Sequence, residues 1–193
     1  MKKYLLAIII ALSPVVLMGQ GVYTMTYDMS LGLGSTGDYI SAPSFRGATL
    51  IDGRGFITNN VSIGGSFSWH VFTKELEGEF VDGTTTLTGK QYRYINSFPV
   101  MVTSYYYLGD GSTTTYYAGG GVGVVSYEQR TEMGLYYSGD PKWHFGISPQ
   151  IGVLIPMGAS VDLHISLKYQ QTFKSSDYDA NQYLTLGVGF AWW

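Results

Sequence analysis

The sequence predicts an all-β protein: an eight-stranded antiparallel up-and-down transmembrane β-barrel that follows a cleaved signal peptide. Three observations lead to this prediction. Extended segments alternate apolar and polar residues with the period of two that is typical of a strand. Short and long connectors alternate between these segments, as in a barrel with tight turns at one end. The chain contains 17 Tyr and 26 Gly but only 13% charged residues, against about 25% in ordinary soluble domains.

The overall composition excludes several other classes of protein. The net charge of -3 leaves no basic surface of the kind that binds nucleic acid. The absence of Cys rules out disulfides, thiolate metal sites, a Cys nucleophile and a lipoprotein anchor. A length of 193 residues suits one domain with a sizeable interior. We therefore expect a single domain without a cofactor.

The first segment has the features of a secretory signal peptide. Lys2 and Lys3 form a positive region, an apolar run follows over residues 4–18, and Gly19 offers a small residue for cleavage. A transmembrane anchor is the alternative, but the run is too short for a span of about 20 residues. We predict a signal peptide over residues 1–19 and an exported barrel domain over residues 20–193.

Alternation is clearest in the seventh segment, where Asp162, His164 and Lys168 share one face. The apolar side chains of the same segment, from Val161 to Tyr169, share the other. Similar patterns predict eight strands, and these cover residues 22–34, 45–57, 61–74, 92–108, 115–130, 142–155, 160–174 and 182–193.

Four of the eight segments fit the pattern less well. The second alternates weakly, although Arg46, Asp52 and Arg54 fall on one parity, and the fifth is rich in Gly. Pro99 and Pro149 interrupt the fourth and sixth segments. Because Pro cannot donate a ladder hydrogen bond, we predict bulges or kinks at both positions.

The connectors divide into two groups. Residues 58–60, 109–114 and 156–160 are short, whereas residues 35–44, 75–91, 131–141 and 175–181 are mostly longer and more polar. Outer-membrane barrels have short periplasmic turns and longer external loops. An even number of strands then places both ends of the barrel on the periplasmic side.

The kind of polar residue decides which face of the barrel points outward. A soluble ligand-binding barrel is apolar inside, whereas a membrane barrel is apolar outside. Here the polar face consists mainly of Gly, Ser and Thr, which fit a narrow interior, and the apolar face is large and aromatic, as lipid requires. We also predict interfacial aromatic girdles, formed by Tyr92, Tyr94, Tyr105–Tyr107, Tyr116, Tyr117, Trp143 and Trp192.

Four stretches resemble a known family. They are IDGRGFITNNVSIG (51–64), GKQYRYINSFPVMV (89–102), WHFGISPQIGVLIP (143–156) and YLTLGVGFAWW (183–193). The layout is similar to the small eight-stranded outer-membrane barrels of Gram-negative bacteria, the OmpX/OmpW-like group, in the versions common in Bacteroidetes-type bacteria. The resemblance implies contact with outer-membrane lipid. It also implies that the assembly machinery reads a C-terminal signal, here Phe190, Trp192 and Trp193.

Several ionisable side chains are predicted to point into the barrel. They are Asp28, Asp52, Arg54, His70, Asp162, His164 and Lys168. One interpretation is a polar pathway or a proton-sensitive gate. The favoured interpretation is a hydrogen-bonded, ion-paired plug, because eight strands leave no wide pore and buried charges must be paired or hydrated.

Motifs that resemble active sites lack the context that they need. Residues 32–37 match G-x-G-x-x-G, but no helical pattern follows, so we expect a strand that ends in an external loop. The glycines of residues 119–123 lie inside a predicted strand, without the Lys of a phosphate loop. The three His residues show no ligand spacing, so no metal site is expected.

Two further features suggest activities of other kinds. His164 and Ser166 resemble the catalytic pair of the lipid A deacylases, but they are predicted to face the interior and lack a suitably placed acidic partner. One long connector is acidic, with Glu75, Glu77, Glu79 and Asp82. It could bind cations or a host partner, but the favoured interpretation is a solvated surface loop.

The sequence therefore favours a non-enzymatic, monomeric outer-membrane protein. Its expected role is in envelope integrity or in surface interaction through external loops, with an unidentified surface ligand. The alternative is a narrow channel or binding protein for small molecules, whether or not these are hydrophobic. A lipid A-modifying enzyme is the least favoured of the three.

Overall fold

The computed structural model describes residues 21–82, 85–109, 113–133, 136–174 and 179–193. The predicted signal peptide, residues 1–19, lies outside the described residues. The elements in chain order are β1 (Gly21–Leu33), α1 (Gly34–Tyr39), β2 (Ser44–Phe56), β3 (Val61–Asp82), β4 (Thr85–Leu108), β5 (Thr115–Met133), β6 (Tyr136–Pro156), β7 (Val161–Thr172) and β8 (Gln182–Trp192).

The eight strands form one closed antiparallel barrel, which confirms the predicted fold class. Each strand pairs with the next along the chain, and β1 closes the barrel against β8. The register of this seam runs without a shift from Tyr23 opposite Trp192 to Leu33 opposite Gln182. Closure satisfies the backbone groups that an open sheet edge would expose to lipid.

The two faces of the wall are those that the alternation predicts. In β7, Asp162, His164 and Lys168 are buried inside the barrel, while Val161 and Leu167 lie on the opposite face. Large apolar side chains cover the outer wall of the other strands too. Since this wall is apolar and the interior is polar, the barrel has the polarity of a membrane protein.

A bulge in β2 explains why this strand alternates weakly in sequence. The pairing with β3 shifts register between Thr49 and Ile51. The extra residue lets Thr49 and Asp52 both face the interior, three positions apart. Arg46, which shares parity with Asp52 and Arg54 in the sequence, is exposed for the same reason.

Of the bulges or kinks predicted at the two prolines, the structure shows no bulge. Pro99 in β4 pairs in register with Val125 of β5, and Pro149 in β6 pairs in register with Gly120 of β5. Pairing is interrupted only with the other neighbouring strand, which is β3 for Pro99 and β7 for Pro149. Beyond the interruption the same register continues. Each Pro thus interrupts a ladder locally without adding a residue to it.

The two longest predicted loops are strand instead. Residues 75–91 are mostly the ends of β3 and β4, and residues 131–141 are mostly the ends of β5 and β6. These four strands are 22, 24, 19 and 21 residues long, whereas about 9–11 residues suffice to span a membrane. Two long β-hairpins therefore extend beyond one end of the barrel, which we call the hairpin end.

The segment after Gly32 also differs from its prediction. Instead of an irregular loop, residues Gly34–Tyr39 form α1, a helix of six residues. Thr36 and Ile40 are buried, so the segment folds over the mouth of the barrel at the hairpin end. No helix in the described parts of the chain is long and apolar enough to cross a bilayer.

Candidate functional site

Arg54 organises the interior at the end of the barrel that carries the short turns, which we call the turn end. Its guanidinium donates to both carboxylate oxygens of Asp52, at 3.0 and 2.5 Å. It also donates to the hydroxyl of Tyr107, at 2.9 Å. Its carbon lies 3.9 Å from the ring centre of Tyr105 and 4.8 Å from that of Tyr117. The buried charge is thus paired, hydrogen-bonded and stacked.

A chain of hydrogen bonds continues from these rings to His164. The Tyr105 hydroxyl donates to Gln150 Oε1 at 2.9 Å, and Gln150 Nε2 donates to the Tyr117 hydroxyl at 2.7 Å. The same hydroxyl lies 2.5 Å from His164 Nε2. Since these residues come from β4, β5, β6 and β7, their contacts join separate parts of the wall across the lumen.

Three of the predicted girdle residues are therefore misplaced by the sequence prediction. Tyr105, Tyr107 and Tyr117 are each 2% exposed inside the barrel, while Tyr106 and Tyr116 point outward. Gly152, which pairs with Tyr117 in the register, could have indicated that this ring points inward. A Cβ at Gly152 would lie only 2.5 Å from the Tyr117 ring. Of the other predicted members, Tyr92, Trp143 and Trp192 have the expected exposure.

Trp193 completes the turn-end layer. Its indole nitrogen donates to Asp162 Oδ2 at 2.7 Å, and its ring stacks on Phe56 at 5.8 Å between centres. Phe190 and Trp192 point outward instead. The predicted C-terminal signal is thus divided, with Trp193 in the turn-end layer and Phe190 and Trp192 on the outer wall. That the assembly machinery reads these residues remains a prediction.

Replacing Trp193 by Phe should destabilise the barrel although it keeps an aromatic ring. Loss of the indole N–H leaves the buried Asp162 carboxylate without this donor, which costs about 1–3 kcal/mol of the free energy of unfolding. Urea titration in lipid vesicles measures the change. The control, Trp192→Phe, alters an outward ring and should cost less than about 1 kcal/mol. Equal losses in the two variants would contradict the role assigned to the Asp162 contact.

Lys168 and Asp28 occupy the middle of the interior. Lys168 Nζ donates to Thr49 Oγ1 at 3.0 Å, and Thr49 in turn donates to Asp28 Oδ2 at 2.8 Å. Thr26 donates to the other Asp28 oxygen at 2.6 Å. The cation and the carboxylate are therefore linked through a hydroxyl rather than paired directly.

His70 lies beside this middle layer, toward the hairpin end. Its Nδ1 is 3.2 Å from Ser30 Oγ, which is also 2.9 Å from Thr185 Oγ1. Its Nε2 is 3.8 Å from Asp28 Oδ2. The predicted interior residues thus fall into a group around Arg54 and a group around Asp28, and Asp162 contacts Trp193 at the turn end.

An apolar layer at the hairpin end was missed by the sequence prediction. Residues 34–41, which cover the mouth, are called the mouth segment. One side chain of this segment packs with four from the strands below it, and the five are Ile40, Phe72, Ile95, Tyr127 and Tyr183. The Tyr127 hydroxyl lies 3.2 Å from Thr36 Oγ1, and the Tyr183 hydroxyl lies 3.1 Å from Ser97 Oγ. The strand parity of Phe72 and Ile95, two large apolar side chains on an inward face, is the signal that could have revealed this layer.

The candidate enzyme and metal motifs are not assembled into sites. His164 and Ser166 both face the interior, and the hydrogen bond of His164 Nε2 goes to Tyr117. Among the described residues, no group of three His, Asp or Glu side chains is placed to hold a metal ion. Of the glycines in residues 32–37, Gly34 and Gly37 lie within α1 itself, which is too short to form an anion site of the dinucleotide kind.

Two cations face each other above the apolar layer. Lys74 of β3 lies opposite Arg93 of β4 in the register. Lys74 Nζ donates to Ser41 Oγ at 2.6 Å. Arg93 donates to Gln91 Oε1 at 3.0 Å and to the carbonyl of Tyr39 at 3.4 Å. Both side chains therefore lean inward over the mouth of the barrel.

Two acidic residues of the same hairpin, Glu75 and Glu77, point the other way. Glu75 and Glu77 both form ion pairs with Lys90, each at 2.6 Å. The hydrogen bonds that Lys90 donates, first to Glu75 and then to Glu77, raise the pKa of Lys90 above its usual value. The hairpin thus separates its charges, with Lys74 and Arg93 on the inner face and the Glu–Lys cluster on the outer face.

An eight-stranded closed barrel with an apolar, aromatic outer wall and a polar interior is the architecture of the small outer-membrane β-barrels. The chain therefore has the fold and the wall polarity of the outer-membrane β-barrel proteins of Gram-negative bacteria.

Comparison with solved structures agrees with this class. The fold is similar to that of Neisserial surface protein A, with 12% sequence identity and a TM-score of 0.57 over 89% of this chain and 95% of that one. It is also similar to Ail, the attachment invasion locus protein of Yersinia pestis, with 11% identity and a TM-score of 0.54 over 89% and 97%. Ail in complex with the heparin analogue sucrose octasulfate gives 11% identity and a TM-score of 0.51 over the same shares, 89% and 97%. No protein-family model and no curated protein matches the chain.

Proposed function

We propose that this protein is a non-enzymatic surface protein that contacts partners outside the cell through its two long hairpins. The observation that carries the proposal is strand length. With strands of 22 and 24 residues in the β3–β4 hairpin and about 9–11 needed to span the bilayer, roughly half of each strand lies beyond the membrane. Such a projecting ribbon is placed for interaction rather than for transport.

The filled interior supports the same proposal. The turn-end layer around Arg54, the middle layer around Asp28 and the apolar layer under Ile40 each bridge the lumen by side-chain contacts. These layers act as the plug that the sequence favours and oppose a continuous aqueous pathway. The barrel then serves as a monomeric anchor in outer-membrane lipid, inserted by the outer-membrane assembly machinery.

Two of the similar structures have names that agree with a surface role. One is called a surface protein and the other an attachment invasion locus protein. The lipid A hypothesis gains no such support, because His164 and Ser166 face away from the lipid. We also propose that this chain is a member of the Bacteroidetes-type group of small outer-membrane barrels.

Shortening the β3–β4 hairpin tests the surface role. Residues 76–91 are replaced by Asn-Gly, a turn that suits the direct pairing of Glu75 with Tyr92. The barrel should keep the heat-modifiable gel mobility of folded outer-membrane barrels, because the spanning segments are intact. Adhesion of cells that display the variant to a matrix-coated surface should fall to that of cells without the protein.

Two results would count against the proposal. Undiminished adhesion by the shortened variant, and by a second variant in which Asn-Gly replaces residues 131–138 of the other hairpin, would remove the role of the hairpins. Discrete conductance steps of the native protein in planar bilayers would show an open lumen and favour the channel alternative. The periplasmic turn at residues 57–60 provides the control, because its substitution should affect neither measurement.

A further inference from the structure

The two cations at the mouth lack the carboxylate partners that such a position normally has. Like charges directly opposite on neighbouring strands are destabilising, yet Lys74 and Arg93 are paired in register. Within the described residues, neither forms an ion pair, and their hydrogen-bond acceptors are Ser41, Gln91 and the carbonyl of Tyr39. Asp38 is close in sequence to Tyr39 but forms no ion pair with either cation.

Unused donors remain on both groups. An Arg guanidinium has five N–H donors and a Lys ammonium has three. Arg93 uses two of its donors and Lys74 uses one in the contacts described above. Planar, bidentate donation from Arg together with a point charge from Lys is the combination that suits phosphate, sulfate and carboxylate groups.

Neighbouring contacts hold the two cations in place. The Arg93 guanidinium lies 4.9 Å from the ring centre of Tyr39. The Tyr39 hydroxyl is fixed in turn to β5, 3.1 Å from the carbonyl of Arg130 and 2.5 Å from Thr131 Oγ1. The mouth segment is thus tied to three strands, and the rigid placement of Arg93 lowers the entropy cost of binding an anion.

We propose that Lys74 and Arg93, with Tyr39 beside them, form a binding site for a soluble polyanionic glycan at the mouth of the barrel. The proposal rests on the surface role above and specifies the chemistry of the ligand. A soluble ligand is favoured over a lipid headgroup because both cations face inward over the mouth and not toward the outer wall. The carboxylates Glu75 and Glu77 are paired with Lys90 on the other face, so they do not repel an anion approaching the mouth.

Fluorescent dextran sulfate is the probe, titrated against the full-length barrel in lipid nanodiscs at physiological ionic strength. Carboxymethyl dextran and uncharged dextran of equal length are the comparison ligands. Lys74→Gln and Arg93→Gln should each weaken dextran sulfate binding about tenfold, the value expected from one charged hydrogen bond, and the double variant should weaken it further. Uncharged dextran should not bind.

Lys90→Gln is the matched control. It removes one positive charge from the same hairpin, as each test variant does, but on the outer face beside Glu75 and Glu77. Binding by this variant should change less than about twofold, because the site and its donors are intact. An equal loss in Lys90→Gln would show a general charge effect and overturn the proposal.

Two other results would also overturn it. The first is that the native protein binds dextran sulfate no more strongly than it binds uncharged dextran. The second is that dextran sulfate does not bind at all, while the double variant loses affinity for lipopolysaccharide vesicles. This combination would show that the site holds lipid phosphate. Neither result touches the surface role, which is judged by adhesion after hairpin shortening. The shortened variant keeps Lys74 and Arg93 but loses Gln91, an acceptor of Arg93, so it is not used in the dextran sulfate titration.

Discussion

Replacing Arg54 by Met should lower the free energy of unfolding by about 3–5 kcal/mol, which is the cost of leaving one partner of a buried ion pair alone. Asp52 would lose the donors at 3.0 and 2.5 Å. Tyr107 would lose the donor at 2.9 Å. Met fills similar volume, so the loss of packing is small beside the loss of the cation. Urea titration of the protein in lipid vesicles measures the difference.

A double variant separates the charge effect from packing. Asp52→Leu together with Arg54→Met removes both charges, and hydrophobic replacement of a buried pair is often neutral. The double variant should therefore recover most of the stability that Arg54→Met loses. If it is as unstable as the sum of the single variants, the ion pair is not the cause, and the stacking of Arg54 on Tyr105 and Tyr117 becomes the explanation.

Replacing Gly189 by Ala should impair closure of the barrel. Gly189 pairs with Thr26 across the β1–β8 seam. A Cβ there would overlap the carbonyl oxygen of Met25 and lie only 2.7 Å from the Thr26 Cα. Both are backbone atoms that no rotamer change can move aside. Overpacking of this kind costs about 1–3 kcal/mol or more, and the folded band on an unheated gel measures the fraction of closed barrel.

Gly65→Ala is the matched control for the seam variant. It is also a strand glycine, but a Cβ there would meet its nearest neighbour, the Met101 carbonyl oxygen, at an ordinary 3.5 Å. This variant should fold as the native protein does, so the loss in Gly189→Ala would come from the seam and not from Ala in a strand. A Gly189→Ala variant with a full folded band would refute the close approach of β1 and β8.

The fold was predictable because the number of strands, their order and the outward face all follow from local alternation. Asp162, His164 and Lys168 of β7 lie inside, as their parity requires. The hairpins were missed although the signal is present: Glu75, Glu77 and Glu79 alternate with smaller or apolar residues, which is a strand pattern. The charges of this segment predict a solvated loop, yet a strand that projects beyond the membrane also has water on both faces.

The candidate site was less predictable because it depends on which strand positions face one another. Lys74 and Arg93 are 19 positions apart, and their pairing follows from the register of the β3–β4 hairpin as a whole. No local feature of either residue indicates the other. The same holds for Arg54 and its aromatic partners, because contacts across a lumen require the barrel to be closed first.

The continuity of β3 and β4 has a mechanical consequence. The strands that project outside are the same strands that cross the barrel wall, over 22 and 24 residues. A pull on the projecting hairpin acts along these strands, while the antiparallel hydrogen bonds to their neighbours lie across them. The load is shared in shear by many bonds at once, and the side chains that fill the lumen brace the wall against collapse. A pull on the hairpin is therefore resisted along the whole length of β3 and β4 and not at one end of the barrel.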